Sequence, residues 1–299
     1  MKWRNQRRQI VTDGSLKELN ESLDVRFPFK ITREDYANYY HHYFRAHWHP
    51  EIEIHLLMEG ESFFTIQNRD YYLKAGEGLF INQNILHLGR VTEKDLCRSI
   101  VIRMEPYFLD RDQKGIVYQK YVKPVIESRK LEQLRLSGDV PWQKQWMKDF
   151  LEIADLFDEK ADGYELEIQG RVSKLWKEFY LQTKHLQHIP LPENKDTEKM
   201  KMALSFIEEN YKKKITLAQI AHACGTCQSE CCRIFQEILK TSPMEYVNTV
   251  RIQNSLNALK NKKKSITEIA YQSGFSSASY YAEVFRKKMG CTPGQYRKK

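Results

Sequence analysis

The stretch Ile266-Thr267-Glu268-Ile269-Ala270-Tyr271-Gln272-Ser273-Gly274-Phe275-Ser276-Ser277-Ala278-Ser279-Tyr280-Tyr281-Ala282-Glu283-Val284-Phe285-Arg286-Lys287-Lys288-Met289 decides the fold of the last third of this 299-residue chain. Ile266, Ile269 and Ala270 are spaced to line one face of a short helix. Gly274 stops that helix, because a tight turn needs a residue that tolerates positive φ. Ser276 is placed to cap the next helix, in which Tyr281, Phe285 and Met289 recur on one face at fourfold spacing. Ala270 is small, as a close helix crossing requires. The pattern is a helix-turn-helix, and its second helix is the one offered to the DNA major groove.

The pattern occurs twice. About fifty residues earlier, Ala221, Gly225, Phe235, Pro243 and Tyr246 answer to Ala270, Gly274, Phe285, Pro293 and Tyr296. Both units end alike, in Ser242-Pro243-Met244-Glu245 and Thr292-Pro293-Gly294-Gln295. Each is a hydroxyl cap, a proline at the first helical position and an acid or amide that can close a capping box. One match to this motif is weak evidence. Two in tandem are strong.

These residues resemble the DNA-binding domain of the AraC family of bacterial transcription regulators. The resemblance rests on Ile266 to Ala270, Gly274-Phe275, Ser279-Tyr280-Tyr281, Phe285-Arg286-Lys287, Gly290, Thr292-Pro293 and Tyr296-Arg297. It implies two helix-turn-helix units joined by a long helix, here Pro243 to Leu259, entering successive major grooves. Arg251 stands where the family has arginine and Leu259 where it has leucine. Cys227 replaces the usual serine cap, and Lys240 stands where glycine is usual.

Charge agrees. Lys195 to Lys299 carries 19 Lys and Arg against 9 Asp and Glu, while the rest of the chain is nearly balanced, at 29 against 30. A positive field confined to this segment is suited to phosphate neutralisation. For base reading, the outward faces of the two second helices offer Gln228, Ser229, Cys232, Arg233 and Gln236, then Ser277, Ala278, Ser279, Ala282, Glu283 and Arg286. Arg233 can pair with guanine and Gln236 with adenine. Glu283 can accept from cytosine, and Arg286 can grip a base or a phosphate.

Toward the front, Glu51 to Met58 and Ser62 to Gln67 read as strands, with Asn68-Arg69-Asp70 as a hairpin turn. Short strands at this spacing suggest a small barrel or jelly roll. Within them, His47-Trp48-His49-Pro50-Glu51-Ile52-Glu53 followed by Gly60 matches the first cupin motif, and Gly76, Asn82 and His87 match the second with Asn82 in place of proline. Alternation along one strand would put His47, His49, Glu51 and Glu53 on a single face. The resemblance is to the cupin-like sensor at the front of AraC-family regulators. It implies an effector pocket lined by His47, His49, Glu53 and His87, which are also the candidate ligands for a divalent metal ion. A carbohydrate is one effector class it brings in.

From Asp112 to Gln187 helical patterns take over. The aromatic stripe through Trp142, Trp146, Phe150 and Phe157, and that through Leu175, Trp176 and Phe179, are spaced to pack on the barrel, and the resemblance implies that part of them forms a dimer interface as well. His188-Ile189-Pro190-Leu191-Pro192 reads as an interdomain linker.

The fold expected is α+β: a cupin-like β-barrel over residues 1–105, a helical dimerisation region over 106–187, a linker over 188–195, and an all-α DNA-binding domain of two helix-turn-helix units over 196–299. The function expected is a DNA-binding regulator answering to a small effector, not an enzyme, with duplex DNA, a second copy and RNA polymerase as partners. No run of eighteen apolar residues and no signal-peptide core are present, so a cytoplasmic protein with reduced cysteines is expected. Two other classes compete: a metal-dependent cupin enzyme with a DNA-binding tail, and a redox or metal sensor built on Cys224, Cys227, Cys231 and Cys232. The helix-turn-helix template accounts for all four thiols as small apolar or surface residues.

Overall fold

The computed structural model describes residues 3, 10–13, 16–19, 23–39, 43–66, 69–91, 96–187, 195–239, 241–259 and 264–298. Lys240 and nearly all of the expected linker lie outside the described residues. The chain divides into two compact units, Met1–Val11 with Glu18–Glu193, and Thr12–Lys17 with Asn194–Lys299.

The first unit holds two antiparallel sheets. The strands are β1 (Phe29–Asp35), β2 (Tyr43–His47), β3 (Ile52–Glu59), β4 (Glu61–Ile66), β5 (Arg69–Lys74), β6 (Gly78–Ile81), β7 (His87–Val91), β8 (Arg98–Met104) and β9 (Gln133–Leu136). They order as β1-β8-β3-β6-β9 and β2-β7-β4-β5. The five-stranded sheet is buried on both faces, and period-two alternation sorts its side chains. Phe29, Ile31, Ile52, Ile54, Leu56, Ile100, Ile102 and Met104 form one core with the helices. Leu57, Leu79 and Ile81 form another with Phe44, Phe64, Ile66 and Leu73 of the second sheet. The intervening residues Glu53, His55, Ser99 and Arg103 put polar chemistry inside a closed structure, where it must find partners.

Three expectations shift. Arg69 and Asp70 belong to strand β5 and not to a turn, because Thr65 and Ile66 pair with them across the ladder. The stretch after Asp112 is not all helical: β9 adds an edge strand to β6. The tryptophan stripe is core. α1 (Lys123–Ile126) is short, and the long helices α2 (Pro141–Glu159) and α3 (Tyr164–Gln187) lie on the sheet, turning at Gly163 with φ 82°. Trp146 and Trp176 are 2% and 4% exposed. Their indole N–H groups donate to the carbonyls of Leu175 and Tyr121, at 3.0 Å each. Trp146 is enclosed, and Trp176 reaches only the floor of a surface cleft beside Tyr121 and Leu181.

From Lys195 on, the described elements of the second unit are helices: α4 (Lys195–Asn210), α5 (Leu217–Ala223), α6 (Gln228–Leu239), α7 (Pro243–Leu259), α8 (Ile266–Gln272), α9 (Ala278–Met289) and α10 (Pro293–Lys298). Thr216 and Ser265 close reciprocal capping boxes with Gln219 and Glu268 at the start of α5 and α8. Ser242 with Glu245, and Thr292 with Gln295, do the same before α7 and α10. The cap of α9 is Ser277, one residue later than expected, its hydroxyl accepting from the Tyr280 amide at 3.2 Å. Ser276 is left exposed.

Trp176 packs on Phe179, which in turn meets Phe80 of the sheet. Trp176→Ala is expected to destabilise the first unit by about 3–5 kcal/mol through the cavity it opens. Urea unfolding followed by circular dichroism measures this; a loss below about 1 kcal/mol would place that ring outside the core.

Candidate effector centre and nucleic-acid interface

His47, His49, Glu53 and His87 do come together, by a route the alternation argument missed. His47 ends β2 and pairs with His87, the first residue of β7, across a register shift that follows Phe44. The chain then leaves the four-stranded sheet, carries His49 in the crossing, and enters the five-stranded sheet at Ile52. The groups therefore converge from two sheets and do not share one strand face. All four are buried. The ring centroids of His47 and His87 are 4.1 Å apart, and those of His49 and His87 5.1 Å.

Hydrogen bonding sets the tautomers. Nδ1 of His47 lies 2.9 Å from the Arg45 carbonyl, Nδ1 of His87 2.8 Å from that of Ile85, and Nδ1 of His49 3.2 Å from that of Glu51. A carbonyl only accepts, so each Nδ1 carries the proton. The Nε2 atoms of His47 and His87 are then lone-pair nitrogens, buried and without a hydrogen-bond partner. Burial, with the charges of neighbouring rings and Arg103, keeps His47 neutral and pushes the His87 pKa down to about 4. His49 differs. Burial and Arg103 oppose its cation, but the carboxylates of Glu51 and Glu53 outweigh them and its pKa is raised.

Sequence reasoning missed the groups that complete this centre. Arg103 sits opposite Glu53 in the β3–β8 ladder and donates to it at 2.9 Å and to Glu18 at 2.5 Å. Burial disfavours the Glu53 carboxylate, yet Arg103 and His49 hold its pKa well below the usual range. Arg103 was visible as a charged residue at an inward position of the apolar run Ile100–Met104. Glu18 was not, since it arrives from a segment without periodicity. His55 has its Nε2 2.7 Å from the Ser99 hydroxyl and 2.9 Å from that of Tyr36. A cavity of about 30 Å³ remains beside Phe44, His47, Glu53, His55, His87 and Arg103.

Among the described residues, His47, His49 and His87 are the one group of three or more metal-ligating side chains, with ligand atoms within 4.8 Å of one another. The orphaned, buried Nε2 atoms of His47 and His87 fit an imidazole-bound metal ion, while that of His49 lies 3.2 Å from Glu53. Glu53 is drawn into the pair with Arg103. Among the described residues no three cysteines come together as ligands: Cys224 and Cys231 are buried against each other, with the Cys231 thiol pushed up to about 12 by burial and its neighbours, while Cys227 is exposed.

On the DNA-reading side, α6 buries Cys231, Ile234, Phe235 and Ile238, and α9 buries Tyr281, Val284 and Phe285. That leaves Gln228, Ser229, Arg233, Gln236, Ser279, Glu283 and Arg286 exposed, with Cys232, Ser277, Ala278 and Ala282 half-buried. Arg233 is not a free cation. Its guanidinium is held by Glu230 at 2.6 Å, Glu237 at 2.6 Å and Asp196 of α4 at 2.7 Å.

Residues 35–175 match the family model of the AraC-like ligand binding domain, and residues 220–299 that of a helix-turn-helix domain. An HTH-type transcriptional regulator of Bacillus subtilis (strain 168), YdeC, is 33% identical over 291 residues, covering 97% of this chain and 99% of that protein. This chain belongs to the AraC family of transcription regulators. The melibiose operon regulatory protein of Escherichia coli (strain K12) is 24% identical over 265 residues, covering 85% of this regulator and 83% of that one. Among solved structures, unsaturated fatty acid-bound ToxT from Vibrio cholerae aligns over 93% of this chain and 96% of its own, with 18% identity and a TM-score of 0.39. The regulator thus has a ligand-binding domain in front of a DNA-binding domain and is not an enzyme. No helix among its described residues is long and apolar enough to cross a membrane.

Removing Arg103 leaves Glu53 and Glu18 buried without their cation. Arg103→Ala is expected to cost about 3–5 kcal/mol. Thermal and urea unfolding of the full chain checks it, and an unchanged midpoint would show that the pair carries no weight.

Proposed function

We propose that this regulator reads duplex DNA in response to a divalent transition-metal ion held by His47, His49 and His87. The observation that carries the reading is the set of three Nδ1 to carbonyl contacts, which turns the Nε2 edges inward, two of them without a partner. Imidazole nitrogen suits zinc, copper and nickel. Such an ion would tie the paired ends of β2 and β7 to the crossing that leads into β3, the kind of differential contact that shifts a conformational equilibrium. His49 Nε2, 3.2 Å from Glu53 in this structure, would exchange that carboxylate for the ion, and Glu53 would stay paired with Arg103. The melibiose-operon relative favours a sugar instead. A sugar site needs some hundreds of Å³, and the room beside these rings is about 30 Å³.

Sequence-specific binding is assigned to Gln228, Ser229, Cys232, Arg233 and Gln236 on α6, and to Ser277, Ala278, Ser279, Glu283 and Arg286 on α9. Arg233 must exchange its three carboxylates for base or phosphate, so its contribution is a difference between two charged sets of partners. Duplexes selected from a random pool with the full chain provide the probe. Their affinity is expected to change at least tenfold between zinc and chelator. The His47→Ala/His87→Ala variant should bind the same duplexes without that change. An undiminished metal response in the variant, or a response to sugar alone in the parent, would overturn the assignment.

A homodimer belongs to the same proposal, on a surface that borders the tryptophan stripe at Trp176. Val117, Tyr121 and Leu181 are exposed around a cleft of about 430 Å³ that Leu109, Trp176 and Tyr180 floor, and Ile116 beside them is 74% exposed. An apolar opening of this kind suits a second copy of the chain. Sedimentation of the full chain is expected to show a dimer at micromolar concentration, and Leu181→Glu a monomer with an unchanged melting temperature. A Leu181→Glu dimer would move the interface elsewhere.

A further inference from the structure

The DNA-binding unit contains a clasp between its two halves. The turn after α4, Tyr211 to Lys213, belongs to the first helix-turn-helix unit. Arg251, on the joining helix α7, is 8% exposed. Its Nε donates to the Tyr211 carbonyl and its Nη2 to that of Lys213, each at 2.8 Å. The same guanidinium lies 5.7 Å from the ring centroid of Phe275, beyond the turn of the second unit. Gly274 completes the notch. A Cβ there would fall 2.2 Å from the Tyr211 carbonyl oxygen and 2.9 Å from the Lys212 Cα. Glycine at this position is therefore required twice, by φ of +89° and by a backbone of the other half lying against it.

Other contacts tie α9 to the same helix. Asn248 of α7 donates to the Tyr280 hydroxyl at 2.9 Å, and the Tyr281 hydroxyl donates to buried Ser255 at 3.0 Å. Ser255 in turn donates to the Ile252 carbonyl at 2.6 Å. On the other side, Phe235 of α6 packs edge-on against Tyr246 of α7. Both reading helices are thus referred to one rigid element, and Arg251 ties the entry of the first unit to the turn of the second.

We propose that Arg251, seated against Gly274 and Phe275, is a positioning residue for specificity: it fixes the separation and phase of the two DNA elements that α6 and α9 read. The proposal rests on those two helices being the readers. One inserted base pair moves the second element by about 3.4 Å and turns it by about 34°. A rigid pair of readers cannot follow that displacement. A pair released from the clasp can. Lysine is not a substitute, because one ammonium does not reproduce the guanidinium fork that spans two carbonyls.

The test is selection from a random duplex pool with the full-length chain, followed by affinity measurements on the recovered consensus and on versions with one base pair inserted or removed between its two elements. The parent protein is expected to recover two elements at one spacing and to lose at least tenfold in affinity on either change. Arg251→Lys and Arg251→Gln should recover the same elements at several spacings and lose no more than about threefold. Asn248→Ala, which removes only a half-buried tie, carries the test if the arginine variants do not fold by circular dichroism, and it should relax spacing in the same direction. Folded variants that keep the parent's single spacing, or a parent that tolerates the inserted base pair, overturn the clasp. A single recovered element overturns it too, while leaving DNA reading in place. No enrichment at all would strike instead at α6 and α9 as readers.

Discussion

Arg103 stands between two carboxylates, those of Glu53 and Glu18, that have been taken out of water. Burying three charges is costly unless each is paired and hydrogen-bonded, and this requirement orders much of the first unit. It sets β3 against β8, where Glu53 and Arg103 are directly opposed. It draws in the segment around Glu18, whose backbone amide also bonds to the Trp48 carbonyl. Through Glu53 it places His49, and so the third ring beside His47 and His87. One face of the same sheet packs on α2 and α3, while the other shares this polar centre with a second apolar core around Leu57, Leu79 and Ile81.

The second unit solves a different problem. Its two halves repeat one another, yet they are useful together only if their reading helices hold a defined relation. Capping boxes begin α5 and α8, and the small core around Tyr281 and Phe285 fixes α9 on α7. The polar contacts of Arg251 then cross from one half to the other. Positive charge gathered in this segment supplies affinity for phosphate regardless of sequence. The carboxylates around Arg233 temper it locally, so that a side chain suited to guanine is already occupied when no DNA is bound.

Much of this was legible in the chain because it is local. Gly274, the paired Ser242 and Thr292 caps, and fourfold apolar spacing in α9 are each signals carried by a few neighbouring residues. The span of the joining helix, Pro243 to Leu259, followed from them. What was not legible depends on long-range contact. The cupin-like spacing pointed to His47, His49, Glu53 and His87, but alternation assumed one continuous strand, whereas the chain changes sheets between His47 and Ile52. Arg103 and Glu18 lie far apart in sequence and meet only in the folded unit. The tryptophans of α2 and α3 show a related ambiguity: an aromatic stripe reads the same whether its partner is another chain or a sheet in the same one. Here the sheet took it.

Three imidazole nitrogens, and not the cysteines of the reading unit, form the proposed effector centre. X-ray absorption at the zinc edge on the full chain loaded with one equivalent of zinc addresses it most directly. The expected result is a first shell of nitrogen or oxygen at about 2.0–2.1 Å with the multiple-scattering signature of about three imidazoles. Sulfur at about 2.3 Å, the distance of a zinc–thiolate bond, would move the site to the cysteines and contradict it.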